Sequence, residues 1–400
     1  MNGKPAAIGA LWLGIQVVWG AILGISLQAR AVEFGLGSAV NAYAVVAAAG
    51  AALAAVTQVV VGFLSDSRRA RVGHRREFYV IGIAIAVPAL LGFYLAPTYA
   101  MFLLAFAALQ IGMNVFGGPY QAAVPDHVPA ARSGNASSWM SGYQFVGQCI
   151  GLVIATFARD WLAGILIAAV LATSFAITVA HLMRLAPAAQ AAFAPLRVDR
   201  DFRTVLVSRA FINLGFYTFV GFLFFFVRDV LGDRDARLET GLLFLCFTLA
   251  GVLGALVAGR ASDRADKRTV VSIAGAAIAV TIAVLAGARS LGAVVIAGTL
   301  AGVAWGAFFT ADWAIAYVVL PAEAMASAMG VWNLAAALPQ IVAPLLGAAI
   351  TAFGGTRAVQ VAVIVEFLIG TLWLWRLPPL RSQPLERPEI AIAPVQKPLV

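Results

Sequence analysis

The sequence has few charged residues and few of the side chains that bind metals. Charged residues make up 11% of its 400 residues, whereas hydrophobic residues make up 62%, which is more than a soluble core can hide. The two cysteines, Cys149 and Cys246, lie far apart inside apolar runs, and the three histidines are scattered. This excludes a disulfide framework and argues against a Cys-x-x-Cys or histidine metal site. We therefore expect no metal and no cofactor.

The sequence also lacks the motifs of common enzymes. It has no evident Ser/His/Asp set, phosphate-binding loop or paired-acid motif, so we predict that the protein is not an enzyme. The net charge of +9 would suggest nucleic acid in a soluble protein, but here Lys and Arg lie in short segments between apolar runs. In that position they orient helices in a membrane. We therefore expect membrane lipids as partners, and no nucleic acid.

Apolar runs of about twenty residues, the length that crosses a bilayer as a helix, recur along the whole chain. Six of them precede a polar stretch and six follow it. The predicted spans are 8–29, 39–64, 78–95, 99–120, 139–158, 161–182, 208–227, 238–258, 269–287, 290–319, 327–352 and 358–376. The sequence therefore predicts an all-α polytopic membrane protein of twelve transmembrane helices in two six-helix bundles.

The same pattern divides the chain into four parts. We predict an N-terminal bundle over residues 1–182, a cytoplasmic linker over 183–207, a C-terminal bundle over 208–377 and a disordered, proline-containing cytoplasmic tail over 378–400. The N-terminus has one lysine and runs straight into an apolar stretch with no cleavage-type tail. It therefore indicates a first membrane helix, not a signal peptide.

The positions of the basic residues predict the orientation of the chain. With a cytoplasmic N-terminus, 20 of the 27 Lys and Arg residues fall on the cytoplasmic side, including Arg209, which is grouped with the linker. This asymmetry predicts that both termini are cytoplasmic. The preference for alanine and for Arg over Lys indicates a GC-rich bacterial genome, and so a bacterial inner membrane. Seven basic residues remain outside: Arg30, Arg159, Arg228, Arg234, Arg237, Arg289 and Arg357.

Two loops carry the same motif. The loop after span 2 reads Gly62-x-x-Ser65-Asp66, and the loop after span 8 repeats Gly, Ser and Asp 197 residues later. Basic residues follow both. A second short match, Val-Pro-Ala in the first half and Leu-Pro-Ala in the second, recurs after 192 residues. The two matches predict two parallel six-helix repeats.

The repeated motif predicts a cytoplasmic gate. Its glycine allows two helices to approach closely, its aspartate accepts hydrogen bonds, and its arginines pair with acids or lipid phosphates. A plain positive-inside loop explains the arginines, but not the equal spacing of Gly and Asp in both halves. The predicted gate residues are Gly62, Asp66, Arg71, Arg75, Arg76, Gly259, Asp263 and Arg264.

These loops resemble those of the major facilitator superfamily, in which both halves carry the motif. The N-terminal half also resembles proton-coupled sucrose transporters and the related glycoside-pentoside-hexuronide cation symporters. That narrower resemblance is carried by Gly14-x-Gln16-x-x-Trp19, Leu36-Gly37, Gln58-Val59-Val60-Val61-Gly62, Ser65-Asp66, Arg71-Val72-Gly73-His74-Arg75-Arg76 and Gly118-Pro119-Tyr120-Gln121-Ala122 followed by Asp126.

The resemblance implies a monomeric transporter of a sugar and a proton, with sodium as the alternative ion. It has two departures: Gln121 stands where the sucrose-transporter pattern has arginine, and Glu77 stands where it has proline. The matching aspartate, Asp126, is implied to carry the proton, and desolvation would favour its protonated form there. Alternatively, Asp126 caps span 5 or pairs with Arg132.

Two further acids lie within apolar spans. Asp312, in span 10, lies at the repeat position of Tyr120. A lone acid in hydrocarbon must face the bundle interior, pair or stay protonated, so Asp312 is a second proton-coupling candidate. A structural hydrogen bond between helices is the alternative. Glu366 lies near the middle of span 12, which is usually peripheral in this fold, and its role stays open.

Amide and aromatic side chains recur on the spans that line the cavity of the facilitator fold. Amides satisfy sugar hydroxyls and aromatic faces cover sugar C–H groups, although hydrogen bonds between helices are the alternative for each residue. The substrate-binding candidates are Gln16, Trp19, Asn41, Gln58, Asn114, Gln121, Gln144, Tyr217, Trp313 and Asn333.

Together these features predict a secondary active transporter that symports a disaccharide or glycoside with a proton by alternating access. The alternative is a proton-coupled efflux antiporter for drugs or metabolites, although span 5 lacks the Gly-Pro-rich stretch typical of such antiporters. A facilitator-fold sensor without transport is a third reading.

Overall fold

The computed structural model describes residues 4–34, 38–72, 75–121, 123, 127, 133–185, 198–230, 235–319 and 325–380. The regular structure in these ranges is helical throughout. The predicted tail beyond residue 380, most of the predicted linker (186–197), Asp126 and Arg132 lie outside the described residues.

The described part of the first half contains six long helices. α1 is a long helix with a π-helical turn at Ile22–Ser26, and the others follow after short connections. Their bounds are Pro5–Glu33 for α1, Ala39–Val72 for α2, Arg76–Leu95 for α3, Tyr99–Gln121 for α4, Ser133–Phe157 for α5 and Asp160–Leu182 for α6.

Six more lie in the described ranges of the second half. Their bounds are Arg200–Val230 for α7, Ala236–Arg264 for α8, Lys267–Gly287 for α9, Leu291–Val319 for α10, 325–354 for α11 and 356–373 for α12, followed by a 3₁₀ turn at Leu374–Arg376. α11 and α12 are separated only at Gly355, whose φ of 71° is accessible to glycine but strained for other residues.

The helices are long and apolar enough to cross a membrane. Ten such stretches occur among the described residues. One of them, Val331–Arg376, covers most of α11 and all of α12, and a shorter apolar stretch, Gly142–Phe157, lies within α5. The twelve predicted spans therefore correspond to the twelve helices, and the prediction of an all-α multi-pass membrane protein is confirmed.

Several helices extend beyond the apolar spans. α2 continues to Val72 and α8 to Arg264, because the polar residues after each span contain no proline and favour helix. The repeated Gly-x-x-Ser-Asp motif therefore lies on the last turns of two helices, and its prediction as a loop was wrong. α7 likewise begins at Arg200, eight residues before the predicted seventh span.

Glycines allow close packing of helices in both halves. A Cβ atom at Gly20 of α1 would lie 2.7 Å from the carbonyl oxygen of Gln148 on α5. In the second half, a Cβ atom at Gly302 of α10 would lie 2.8 Å from the Cα of Phe247 on α8. These backbones touch with no room for a side chain, which explains the small residues at the contacts.

The two halves repeat one contact at the ends of their sixth helices. The Arg76 guanidinium, at the start of α3, donates a 3.1 Å hydrogen bond to the Met183 carbonyl oxygen after α6. Arg268, 192 residues later at the start of α9, donates to the Leu377 carbonyl oxygen after α12. This shared contact agrees with two parallel repeats.

Several contacts join the halves near the end of the bundle at which α2 begins. The ring centroid of Tyr43, near the start of α2, lies 5.7 Å from that of Phe222 and 5.5 Å from that of Phe225, near the end of α7. Arg237, at the start of α8, contacts the end of α5 and the start of α6. This end lies opposite the end at which α1 begins.

Candidate functional site

A cavity of about 130 Å³ lies between α1 and α4. Four of the ten predicted substrate-binding residues line it: Gln16, Trp19, Asn114 and Gln121. Its other lining residues are Trp12, Ile15, Met113 and Gly117. The structure therefore brings together amides and indoles that the sequence places up to about one hundred positions apart.

The helical repeat explains this convergence. On α1, Trp12, Gln16 and Trp19 are spaced by four and three residues and share one helix face. On α4, Asn114 and Gln121 are seven residues apart, which again places them on one face. The cavity is formed where these two faces meet.

Hydrogen bonds fix several side chains at the cavity. The Gln16 Nε2 atom donates to the Gln144 Oε1 atom of α5 at 3.4 Å, which connects a fifth predicted residue to the cavity. The Asn114 Nδ2 atom donates to the Gln110 carbonyl oxygen at 2.8 Å. On the wall, the Trp12 ring centroid lies 5.6 Å from that of Tyr120.

Two predicted residues on α2 differ in position. Gln58 is partly buried, and its Cγ atom would lie 3.9 Å from a Cβ atom at Gly118 on α4, next to the cavity-lining Gly117. Asn41 is exposed near the start of α2, where its backbone N–H donates to the Ser38 hydroxyl at 3.3 Å. The structure therefore brings Gln58 toward the cavity and leaves Asn41 away from it.

The second half contains a buried ion pair between α7 and α10. The guanidinium of Arg209, 7% exposed, contacts the Asp312 carboxylate, which is 4% exposed. Arg209, which the sequence groups with the cytoplasmic segment, lies nine positions into α7 and inside the apolar stretch Arg200–Asp229. The signal for this partner was Asp312 itself, since an acid in hydrocarbon requires compensation.

A tryptophan covers the arginine of this pair. The Arg209 Cζ atom lies 4.4 Å from the centroid of the Trp332 ring on α11, a cation–π arrangement, and Trp332 is fully buried. Among the described residues, neither Arg209 Nε nor Trp332 Nε1 has a hydrogen-bond acceptor. Two buried donors therefore lie beside the ion pair without an acceptor.

Other polar residues of the second half lie near this pair. The Gln340 Nε2 atom of α11 donates to the Tyr217 hydroxyl of α7 at 2.6 Å, and Tyr217 is close enough to Arg209 to interact with its charge. The other C-terminal candidates, Trp313 and Asn333, are partly buried. The Trp313 ring centroid lies 6.4 Å from that of Phe309.

Glu366 occupies a separate place. It is 5% exposed on α12, and its Cβ atom would lie 3.4 Å from a Cβ atom at Gly215 on α7. It therefore belongs to the interface between α7 and α12, not to the cavity between α1 and α4.

The predicted gate is described in part. The Arg75 Nη1 atom donates to the Ser65 hydroxyl at 2.7 Å and Arg76 contacts the end of α6, so these two arginines contact their own half. A Cβ atom at Gly62 would have no atom within 4 Å. The side chains of Asp66, Arg71, Asp263 and Arg264 and the surroundings of Gly259 lie outside the described part.

The second half has a further polar cluster next to its gate motif, just outside the membrane span. Burial alone would raise the pKa of the Asp266 carboxyl, but hydrogen bonds from the Arg268 side chain and from the backbone N–H groups of Arg268 and Leu380 lower it below the usual value. The Arg268 guanidinium also lies 5.1 Å from the Trp375 ring centroid. This cluster holds the end of α12 against the start of α9.

The opposite end of the bundle has an ion pair that joins the halves. The Arg237 Nη2 atom of α8 donates to Asp160 Oδ1 of α6 at 2.7 Å, and its Nε atom donates to the Ala155 carbonyl oxygen at 2.8 Å. Arg30 of α1 lies 3.8 Å from Asp160 Oδ2. This cluster was not predicted from the sequence, although Arg30 and Arg237 are among the few basic residues of the less basic side.

The comparisons with known proteins agree with this architecture. The family profile described as Major Facilitator Superfamily matches residues 7–234 and 235–399. No curated protein sequence matches the chain. Its fold is similar to a mutant form of the nucleoside transporter NupG, with a TM-score of 0.72 and 12% identity over 93% of this chain and 99% of that one.

A second solved structure, a bacterial homologue of the human lysosomal transporter Spinster in an inward-facing and occupied conformation, has a TM-score of 0.70. It is 16% identical over 93% of this chain and 95% of that one. At these identities the likeness is one of fold.

Proposed function

The chain belongs to the Major Facilitator Superfamily, and from this premise we propose that it symports a sugar with a proton. Family and fold make it a multi-pass membrane transporter of a small molecule, not an enzyme. The observation that carries the sugar proposal is the convergence of Gln16, Trp19, Asn114 and Gln121 on one cavity. With Trp12, the cavity has two indoles and three amides. The amides can hydrogen-bond sugar hydroxyls and the indoles can cover sugar C–H groups, which is the combination a sugar requires.

The narrower resemblance to sucrose transporters and glycoside symporters supports a disaccharide or glycoside as the solute. Gln121 lines the cavity where that pattern has arginine, so this part of the site is neutral. A neutral wall suits an uncharged part of a sugar, because no buried charge has to be matched there.

The Arg209–Asp312 pair supports proton coupling. A buried carboxylate that faces a guanidinium changes the charge balance of its site when it binds a proton. Asp126 remains a second candidate from the sequence. A proton is therefore the proposed coupling ion, with sodium as the alternative.

The contacts between the halves support alternating access. With both termini in the cytoplasm of a bacterial inner membrane, as the basic residues predict, the contacts of Tyr43 and Arg237 close the external end. Gly62 and its motif then lie at the cytoplasmic end, where the gate closes in the next state. We propose that the bundles 1–182 and 208–377 rock as a monomer about the central site, joined by the linker 183–207 and followed by the tail 378–400.

Uptake into proteoliposomes that contain a pH-sensitive dye tests this proposal. We expect a disaccharide or glycoside to acidify the interior, Gln16→Ala to raise the KM, and Asp312→Asn or Asp126→Asn to abolish acidification. The panel includes nucleosides, because the similar fold of NupG belongs to a nucleoside transporter. Acidification by nucleosides alone would overturn the sugar assignment. Extrusion of drugs with no response to any sugar would favour the antiporter, and no movement of any solute would favour a sensor.

A further inference from the structure

Glu366 is a buried acid of the second half whose role the sequence leaves open. It is 5% exposed on α12, and neither of its carboxylate oxygens has a hydrogen-bond partner among the described residues. The Thr218 hydroxyl of α7 lies beside it, is fully buried and likewise makes no hydrogen bond in the described part. The helices are close here, since a Cβ atom at Gly215 would lie 3.4 Å from that of Glu366. They therefore enclose a carboxyl group and a hydroxyl group whose hydrogen-bonding capacity is unused.

The helices around Glu366 provide no cation at its level within the ranges that the structure describes. On α12 itself, Arg357 lies nine residues earlier and Arg376 ten residues later, so each is at least about 13 Å away along the helix axis. α12 packs against α9, whose ionisable residues are Lys267 and Arg268 at its start. Both are hydrogen-bonded to the segment that follows α12, so they lie beyond its end. The described residues of α11 include no ionisable side chain.

The charged residues of α7 are either paired or near its ends. Arg209 lies six residues before Gly215, and its guanidinium contacts Asp312. The other ionisable residues of α7 are Arg200, Asp201, Arg203, Tyr217, Arg228 and Asp229. Tyr217 is uncharged, and the charged ones lie within the first four or the last three residues of the helix. An ionised Glu366 would therefore be an isolated charge inside the bundle.

The surroundings of Glu366 fit a proton. An isolated carboxylate inside a helical bundle is unfavourable, because neither water nor a counter-charge compensates it. A proton removes the charge and supplies an O–H donor, which the Thr218 hydroxyl can accept. A hard metal cation typically takes about six oxygen ligands, whereas the side chains of Glu366 and Thr218 provide three. These two side chains therefore suit a proton better than a metal ion.

We propose that Glu366 and Thr218 form a proton-binding site between α7 and α12. At neutral pH the site holds its proton in a hydrogen bond that joins the two helices. It is separate from the Arg209–Asp312 pair and from the cavity between α1 and α4. The assignment goes beyond the proposed transport of a sugar, because it depends on neither the solute nor the coupling ion.

Infrared difference spectroscopy tests the site, because the C=O stretch of a protonated carboxyl group is separated from the bands of a carboxylate. The spectrum of the wild type minus that of Glu366→Gln, both in lipid at neutral pH, should show a protonated-carboxyl band. The glutamine copies the size and neutrality of the protonated acid, so the variant should keep the unfolding temperature of the wild type.

The matched control for this spectrum is Arg209→Gln/Asp312→Asn, which removes an acid that is paired with a cation. The wild type minus this double variant should show carboxylate bands and no protonated-carboxyl band. The control thereby separates an acid that holds a proton from an acid that is neutralised by an arginine.

Thr218→Val tests the partner of the proton, because valine keeps the size of threonine and lacks its hydroxyl. The Glu366 band should persist and shift to higher frequency, since the carboxyl group loses its hydrogen bond. Thr240→Val is the control: Thr240 is a fully buried threonine of α8 that also makes no hydrogen bond in the described part. It should leave the band unchanged.

Three results would overturn the proposal. The first is a carboxylate band in place of the protonated-carboxyl band when Glu366→Gln is subtracted. The second is an unchanged band in Thr218→Val, which would remove Thr218 from the site. The third is a fall in unfolding temperature for Glu366→Gln as large as that for Asp312→Asn, which would indicate an ionic partner for Glu366. The spectra need no transported solute, so they test the site even if the proposed function fails.

Discussion

The two halves of the protein place different chemistry at equivalent contacts. In the first half, Trp12 of α1 packs on Tyr120 of α4, with ring centroids 5.6 Å apart. In the second half, Arg209 of α7 pairs with Asp312 of α10. Arg209 lies 197 residues after Trp12 and Asp312 lies 192 residues after Tyr120, the same offsets that separate the repeated motifs.

This difference suggests that the two halves have different functions in transport. The first-half cavity is lined by amides, indoles and apolar groups, so a proton does not change its charge. The second half has a buried pair whose charge changes with one proton. The first half would then recognise the hydroxyl groups of the solute, and the second half would respond to the proton.

The largest effect is expected from Asp312→Asn, which makes the two halves most unequal in charge. The variant leaves the Arg209 guanidinium buried without a counter-charge, which typically costs about 3 to 5 kcal/mol. We expect a much lower unfolding temperature in detergent and no proton-coupled uptake. Thermal unfolding and vesicle acidification measure the two effects.

The double variant Arg209→Gln/Asp312→Asn is the control for that result, because it makes the second half neutral like the first. It should regain the unfolding temperature of the wild type, yet stay uncoupled. If Asp312→Asn alone were as stable and as active as the wild type, the pair would have neither an energetic nor a coupling role.

Loss of first-half amides should act on affinity and not on coupling. For Gln16→Ala and Asn114→Ala, we expect the KM for the transported sugar to rise by about tenfold each, because each loss removes a hydrogen bond worth about 1 kcal/mol and opens space in the cavity. The number of protons taken up per sugar should stay the same. Asn41→Ala, a change of the same type at an exposed position of the same half, should leave both quantities unchanged. A changed stoichiometry in the Gln16 variant would break the proposed division.

The sequence predicted the fold almost completely, since a twenty-residue apolar run dictates a helix across a bilayer whatever its neighbours are. It also predicted four cavity residues, because amide and aromatic side chains recur on the spans that line the cavity of the facilitator fold and the resemblance pointed to Gln16 and Gln121. It did not predict the ion pair of Arg209, because this residue lies close to the polar residues of the linker. A count of charged residues therefore groups it with that loop. Its partner, 103 positions away, is visible only after the helices are packed.

The contacts between the halves should respond moderately to loss of Arg237. Arg237→Gln removes the 2.7 Å bond to Asp160. Because this ion pair is partly exposed, it stabilises the closed state by about 1 kcal/mol. We expect the ratio of the closed to the open population at this end to fall by about fivefold. Labelling of a cysteine introduced at Val40, near the start of α2, measures its accessibility from that side. Arg289→Gln, in the connection between α9 and α10, serves as the control. Equal labelling of both variants would show that Arg237 does not help to close this end.

The smallest effect is expected where the two halves repeat a contact with one difference. Arg76 and Arg268 each hold the end of a sixth helix, but the residue two positions earlier is Asp266 in the second half and His74 in the first. Because the folded state lowers the pKa of Asp266 below 3.8, the carboxylate contributes its full stabilisation above about pH 4 and loses it as the pH falls through the lowered value. The contribution is about 0.5 to 1 kcal/mol. Hydrogen exchange at the start of α9 should therefore accelerate as the pH falls below about 4, after correction for intrinsic rates. In Asp266→Asn this step should vanish, and a step that persists would assign it to another group.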